Sequence, residues 1–444
     1  AVSDPFRKVR LGDDVRLTID GGLQRAAYER LKGLKGAVVV LDVKTGEILA
    51  AASAPSFDPN IRSADAWRRA FADTVLKPYE NRAFSALYPP GSTFKAVVAS
   101  ALLEREASER QALPERILCN ARKNRFGISD VHPHGRVGFE SAFALSCNHF
   151  FSELGVALGG VLLTQAERFG FNQPIDLLSG VQGERYEAQR SHAFAWRTPS
   201  RSGDSVVGGD RRASLEKYRG IDFRRNPKIV AQGAIGQNLV TATPLQMAMV
   251  AAAIANQGAL MNPIIVKQIR DGKGKILVEE KPVKMGQALQ RESSERIGRL
   301  MVAVMRTGTG KNVKKLYWED GNYTTEPSVG RATGAAQQAR YTIRPVVADS
   351  RSSVVAKTGG AKQARSLSEI PVAGKTGTAE VGDRNGNGTT EPDEKPHSWF
   401  IGFAPADSPK VAIAVVAENQ GFGSLTAAPI AVDVLAAALN AYDR

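Results

Sequence analysis

Three short clusters in this 444-residue chain carry residue types suited to acyl transfer. Ser92-Thr93-Phe94-Lys95 comes first, Ser146-Cys147-Asn148 follows, and Lys375-Thr376-Gly377-Thr378 lies towards the end. A serine hydroxyl is a poor nucleophile until a neighbouring base takes its proton. Lys95 stands three residues after Ser92, so on a helix the two share a face. Burial and positive neighbours lower a lysine pKa enough for it to be that base. Ser146 and Asn148 add a second hydroxyl and an amide within an apolar stretch, where each needs a hydrogen-bond partner. Lys95 and a bound peptide are suitable partners. Cationic Lys375, with the hydroxyls of Thr376 and Thr378, suits a substrate carboxylate. Each cluster alone reads as a helix cap or a turn; their order is what points to chemistry.

The surrounding pattern says which elements must hold these residues. Pro89-Pro90-Gly91 cannot continue a helix, whereas AVVASALLER after Lys95 has helical composition. Ser92 is therefore expected at a helix N-terminus, near the positive end of its dipole. The apolar flanks of Ser146 predict a turn between two buried helices. Lys-Thr-Gly occurs three times, and context separates the copies. Lys44 lies between two β-rich runs as a hairpin turn, and Lys357 lies in a polar stretch without a partner strand. Lys375 is followed by SWFIGFAP and KVAIAVVAEN, which predicts an antiparallel meander. The working copy is therefore assigned to Lys375. On an edge strand, Lys375 and Gly377 would face one side and Thr376 and Thr378 the other. Gly377 allows a ligand backbone to approach, and a peptide can add there as an extra strand. The N–H groups of Ser92 and Thr378 could then form an oxyanion hole. A phosphate-binding loop is excluded, because Glu369 stands where Gly374-Lys375-Thr376 would need a glycine and Asn312 follows Gly310-Lys311.

With these residues in view, the chain resembles the transpeptidase domain of a class B, monofunctional penicillin-binding protein. LTIDGGLQRAAYERL, GAVVVLDVKTGEILAAASAPSFDPN, NRAFSALYPPGSTFK and HGRVGFESAFALSCNHFFSELG are similar to that family. So are AIGQNLVTATPLQMAMVAAAIANQGALMNP, VAGKTGTAE and HSWFIGFAP. The resemblance implies an α+β (α/β) fold of the serine β-lactamase/D,D-peptidase kind, with an antiparallel sheet flanked by helices and an all-helical subdomain. It implies catalytic roles for Ser92 (acylated nucleophile), Lys95 (base), Ser146 (proton relay), Asn148 (positioning) and Lys375 (local potential). Thr376, Gly377 and Thr378 would bind substrate. The implied substrates are peptidoglycan stem peptides, a D-Ala-D-Ala donor and an amine acceptor, with β-lactams as inhibitors of Ser92. A β-lactamase or D,D-carboxypeptidase on the same scaffold, or a non-enzymatic wall-binding relative, are the alternatives. A hydrolase needs a base that activates water against the acyl-enzyme, and spacing identifies none. The family also implies a membrane glycosyltransferase partner, and a periplasmic location with an N-terminal anchor outside this sequence.

Residues 1–35 read as a lead-in and an amphipathic helix, and 36–444 as the catalytic domain. Within it, 36–52 is a hairpin, 91–270 holds most helices, 173–228 is a long surface loop, and 371–442 is the closing sheet and helix. Residues 307–369 depart from the family as a longer, more polar insertion, and VGDRNGNGTTEPDEKPHS as an enlarged loop; neither is expected to touch the motifs. Leu239–Val266 is apolar but interrupted by polar residues, so a buried helix pair is expected rather than a membrane span. The net charge of +14 comes from scattered basic residues, which read first as a solvated basic surface and fit anionic lipid or wall polymers better than nucleic acid.

Three further signals are weaker. Asp383 to Glu394 matches the calcium-loop pattern, yet Pro392 and flanking strands favour an Asn-Gly hairpin loop. His132-Pro133-His134 has no cysteine or carboxylate cluster beside it in sequence, so zinc is not expected and no metal or cofactor is assigned. Two cysteines, Cys119 and Cys147, do not make a disulfide framework, and a buried free Cys147 is expected.

Overall fold

The computed structural model describes residues 12–443, apart from 62, 110–115, 179–185, 198–217, 221, 320, 326–366 and 382–393. Lys357 and most of the candidate calcium loop therefore lie outside the described residues. The central element is a five-stranded antiparallel sheet drawn from both ends of the chain: β1 (Gly36–Asp42), β2 (Ile48–Ala54), β3 (Ala373–Ala379), β4 (His397–Ala404) and β5 (Val411–Ala417). Its order is β3-β4-β5-β1-β2, so β3 is an edge.

Both sheet faces are covered, which is why β1, β4 and β5 read as continuous apolar runs rather than alternating ones. The helices that matter for the site are α1 (Gly21–Arg30), α2 (Lys95–Glu109), α3 (Phe139–Ala144), α4 (Asn148–Leu158), α5 (Pro244–Ala255), α6 (Arg291–Arg306) and α7 (Ala427–Tyr442). Val38, Val40, Ile413 and Val415 point to one core shared with Leu23 of α1 and Val434 and Leu435 of α7. Val39, Leu41, Ala414 and Val416 alternate to the other face, where α5, α2 and α4 pack. The predicted hairpin, meander and closing helix are thus in place, and the fold is the expected mixed helix and antiparallel sheet.

Some expectations need correction. Leu239–Val266 is not a helix pair. Thr243 accepts from Gln246 N–H at 3.1 Å and Pro244 opens α5, but Asn256 ends it, and the chain returns as the strand Ala259–Met261. The lead-in contains a strand, Asp14–Leu17, which pairs with Val266–Arg270. The described parts of 173–228 are not one loop. They form short strand pairs, such as Ile175–Asp176 with Glu187–Ala188, and Phe194 is fully buried against Phe94. No described helix is long and apolar enough to cross a membrane.

Candidate active site

Ser92 sits in a 3-10 turn, Gly91–Phe94, that runs directly into α2. The turn is pressed against the end of β3. Gly91 has φ +53°, and a Cβ there would lie 2.4 Å from the carbonyl oxygen of Thr378. Only glycine tolerates both that backbone and that approach. Ser92 is half-buried, lines a cleft of about 1050 Å³, and makes no side-chain hydrogen bond among the described residues.

Lys95 is fully buried one turn on. Its ammonium donates to the Ser146 carbonyl and to Asn148 Oδ1, both at 2.6 Å, and lies 3.3 Å from Ser146 Oγ. Burial brings its pKa down to about 8, against the opposing fields of Asp130, Cys147 and Cys119. Lys375, also fully buried, donates to the same Ser146 Oγ at 2.9 Å and to the Thr376 carbonyl at 3.0 Å. Burial and then the nearby Lys95 charge hold it well below an ordinary lysine. The Phe151 and Phe143 rings lie 5.5 and 5.8 Å from the two ammonium groups, partly replacing lost hydration.

Ser146 belongs to the predicted turn between α3 and α4, with φ +59°, an uncommon conformation for a serine. Cys147 N–H closes the turn onto the Ala142 carbonyl at 2.8 Å. On the other side, Asp130 accepts from the N–H of Asn148 at 2.6 Å and of His149 at 3.1 Å, at the N-terminus of α4. Burial alone would raise the Asp130 pKa, but these bonds and Lys95 hold it below the usual value. Ser129 O accepts from Asn148 Nδ2 at 3.0 Å, which fixes the amide so that its oxygen meets Lys95.

The opposite wall is β3, in unbroken register with β4 from Ala373↔Phe403 to Ala379↔His397. Thr376, Gly377 and Thr378 line the cleft with Ser92, Ser146 and Asn148. A Cβ on Gly377 would lie 2.8 Å from Thr93 Cγ2, so this glycine lets the strand meet the nucleophile turn. All eight sequence-predicted residues are therefore gathered at one place, although no hydrogen bond joins Lys95 to Ser92. Among the other copies, Lys44 is the expected turn: Asp42 Oδ1 accepts from the N–H groups of Lys44 and Thr45 at 2.8 and 2.7 Å.

This arrangement presents a half-buried, cleft-lining hydroxyl one turn before Lys95, which shares the Ser146 hydroxyl with Lys375, and it suits a serine acyltransferase. The family model for the penicillin binding protein transpeptidase domain matches residues 36–436. The chain belongs to this family. Peptidoglycan D,D-transpeptidase PbpA of Mycolicibacterium smegmatis is 30% identical over 456 residues, spanning 97% of this chain and 73% of that protein. Peptidoglycan D,D-transpeptidase MrdA of Acinetobacter baumannii is 27% identical over 438 residues, or 96% of this chain and 53% of its own length. The ceftriaxone acyl-enzyme complex of penicillin-binding protein A from M. tuberculosis has a TM-score of 0.67 at 26% identity, covering 96% of this chain and 80% of that one. The D,D-transpeptidase domain of a peptidoglycan glycosyltransferase from Eggerthella lenta scores 0.69 at 28% identity, covering 98% and 85%.

Two findings in this penicillin-binding domain depart from the sequence reading. Thr309, within the 307–369 insertion, places its Oγ1 2.5 Å from Thr376 Oγ1 and lines the cleft. The insertion does touch the third motif: just past the end of α6, Thr309 donates its N–H to the Ala144 carbonyl at 3.1 Å and turns its hydroxyl to Thr376. The second concerns metal. His134 does have cysteine and carboxylate neighbours: donor atoms of Cys119, Asp130, His134 and Cys147 lie within 4.8 Å of one another. Cys119 Sγ is 3.0 Å from Asp130 Oδ2 and 3.3 Å from His134 Nδ1, and Cys147 Sγ is 3.4 Å from the same carboxylate oxygen. A hairpin, Ile117–Cys119 with Gly135–Val137, supplies the first donor and delivers His134, and the start of α4 supplies the last. Both cysteines are buried and free. Two thiols, an imidazole and a carboxylate at these spacings are a donor set for tetrahedral zinc, whose ligand atoms lie roughly 3–4 Å apart given bonds of about 2.0–2.3 Å. Binding would displace the thiol protons, which burial holds on in the free site.

Proposed function

We propose that this chain is a peptidoglycan D,D-transpeptidase working through an acyl-enzyme on Ser92. The observation that carries the reading is the convergence of Lys95 and Lys375 on one hydroxyl, Ser146, in the cleft that exposes Ser92. Lys95 in its neutral form takes the Ser92 proton, and Oγ attacks the carbonyl of the penultimate D-Ala. The N–H groups of Ser92 and Thr378 receive the developing oxyanion. The C–N bond breaks, and Ser146, held between the lysines, passes a proton to the departing D-Ala amine. Thr376, Thr378 and Lys375 hold its carboxylate, and Gly377 leaves room for the peptide backbone. An acceptor amine then attacks the ester: a C–N bond forms, the C–O bond to Ser92 breaks, and the proton returns to Oγ. β-Lactams acylate Ser92 by the same first step.

Cys119, Asp130, His134 and Cys147 are the residues that would hold zinc, which would supply structural cross-linking of the Ser146–Asn148 turn. Action at the outer face of the cytoplasmic membrane, beside a membrane glycosyltransferase, fits the substrate, and the relatives' names support the peptidoglycan part.

The test is the intact mass of the protein after incubation with benzylpenicillin, beside Ser92→Ala. The expected result is a long-lived adduct of one drug molecule, absent in the variant. Rapid loss of the adduct with drug turnover would replace this reading with a β-lactamase. A folded protein that takes no adduct would remove Ser92 as nucleophile.

A further inference from the structure

The stretch from Arg116 to Phe139 carries Arg116, Arg122, Lys123, Arg125 and Arg136, against Asp130 as its single carboxylate. Asp130 is buried and occupied by the N–H groups of Asn148 and His149. Two neighbouring acids are engaged as well: Glu153 pairs with Arg125, and Glu140 lies 3.8 Å from Arg296. Arg116, Arg122, Lys123 and Arg136 are exposed and, among the described residues, have no ion-pair partner.

The fold sets this charge at one lip of the catalytic cleft. In the hairpin of Ile117–Cys119 with Gly135–Val137, Cys119 and Val137 are buried, while Leu118 and its cross-strand partner Arg136 face outwards. Between the two strands the chain enters the cleft: Ile128 to His132, and His134, line it together with Ser92, Ser146 and Asn148. Another exposed cation without an ion pair among the described residues arrives from a separate element. Lys228 stands four residues before Gln232 in the helix Pro227–Ala234, on the same face, and Gln232 lines the cleft. Lys228 Cε is 3.9 Å from where a Cβ on Gly127 would lie, next to Ile128.

The use of this lip follows from the proposed function, on which the inference rests. The donor peptide occupies β3, so the amine that attacks the Ser92 ester must approach past the wall that β3 does not form. A positive field at that entrance does two things. It attracts a chain that carries carboxylates beside its amine. It also disfavours the protonated form of the incoming amine, leaving more of it as the free base that can attack.

We propose that Arg122, Lys123, Arg136 and Lys228 form the docking surface for the acceptor strand and recognise carboxylates that flank its amine.

The experiment follows transfer from the donor Nα,Nε-diacetyl-Lys-D-Ala-D-lactate to two acceptors with the same amine. These are N-acetyl-Ala-γ-D-Glu-Lys-D-Ala with its carboxylates free, and the same peptide with them amidated. Cross-linked product is read against hydrolysis. Wild type is expected to transfer about tenfold better to the free acid at low salt, and the difference should shrink towards about 1 M salt. Arg122→Glu with Lys123→Glu, and Arg136→Glu with Lys228→Glu, each bring the ratio to about one or below, while penicillin acylation and thermal unfolding stay as in wild type. Arg136→Lys keeps the preference. Equal transfer to the two acceptors by wild type, transfer to neither, or an unchanged ratio in both charge-reversed variants overturns the docking surface. Salt-sensitive retention on polyphosphate without any acceptor preference would put a phosphate polymer in the acceptor's place. All of these leave the transpeptidase reading standing if penicillin still acylates Ser92. Folded wild type that acylates with neither donor nor penicillin overturns that reading itself.

Discussion

The two walls of the cleft are built by different means. The β3 wall is held by a continuous ladder with β4, and its functional side chains take their places from strand alternation. The Ser146 wall is a turn with a left-handed serine, held by Asp130 on two N–H groups and by the side-chain contacts of two lysines. A ladder spreads its support over many backbone bonds, whereas the turn concentrates it in a few buried polar groups. Buried polar groups lose most when one partner is removed. The turn should therefore be the fragile half of the site.

The sharpest way to break the contrast is Asp130→Ala. It orphans the Asn148 and His149 N–H groups and removes one proposed metal donor. The expected outcome is about 3 kcal/mol lost in denaturant unfolding and penicillin acylation slowed about a hundredfold. Elemental analysis should show one zinc per wild-type chain and none in the variant. Unchanged acylation would show that the turn keeps its shape without Asp130.

The second prediction concerns the lysines that bridge the walls. Lys95 must be neutral to accept a proton, and its pKa is brought down to about 8 by burial, opposed by Asp130, Cys147 and Cys119. Acylation should therefore rise roughly tenfold from pH 7 to 9 as the amine deprotonates, then level. A rate still climbing towards pH 10.5, the ordinary lysine value, would show that Lys95 is not the base.

The smallest effect belongs to the strand wall. Thr309→Ala removes one hydroxyl partner of Thr376, while the ladder keeps β3 in place. Acylation should fall severalfold, matching about 1 kcal/mol for one hydrogen bond. A loss as large as that of Asp130→Ala would erase the difference between the walls.

How much of this was legible beforehand differs in the same way. The β3 wall could be read almost residue by residue, because period-two alternation and the following strands are local properties. The nucleophile turn was legible too, since Pro89-Pro90-Gly91 ahead of a helical run marks where the chain must change direction. The turn carrying Ser146 was legible as a turn, but not its support: nothing near Ser146 in sequence points to Asp130. Thr309 was missed for the same reason. Its role depends on which element passes beside it, and no local pattern marks that.

The sequence by itself determined the chemical groups, their order, and the elements on which they ride. Residue type, turn residues and hydrophobic period all act over a few neighbouring positions. Only the tertiary structure decided that Lys95 and Lys375 share Ser146 and that Cys119, Asp130, His134 and Cys147 converge. Those meetings join segments far apart in the chain, and their geometry is set by how whole helices and strands pack around the two cores rather than by any local preference.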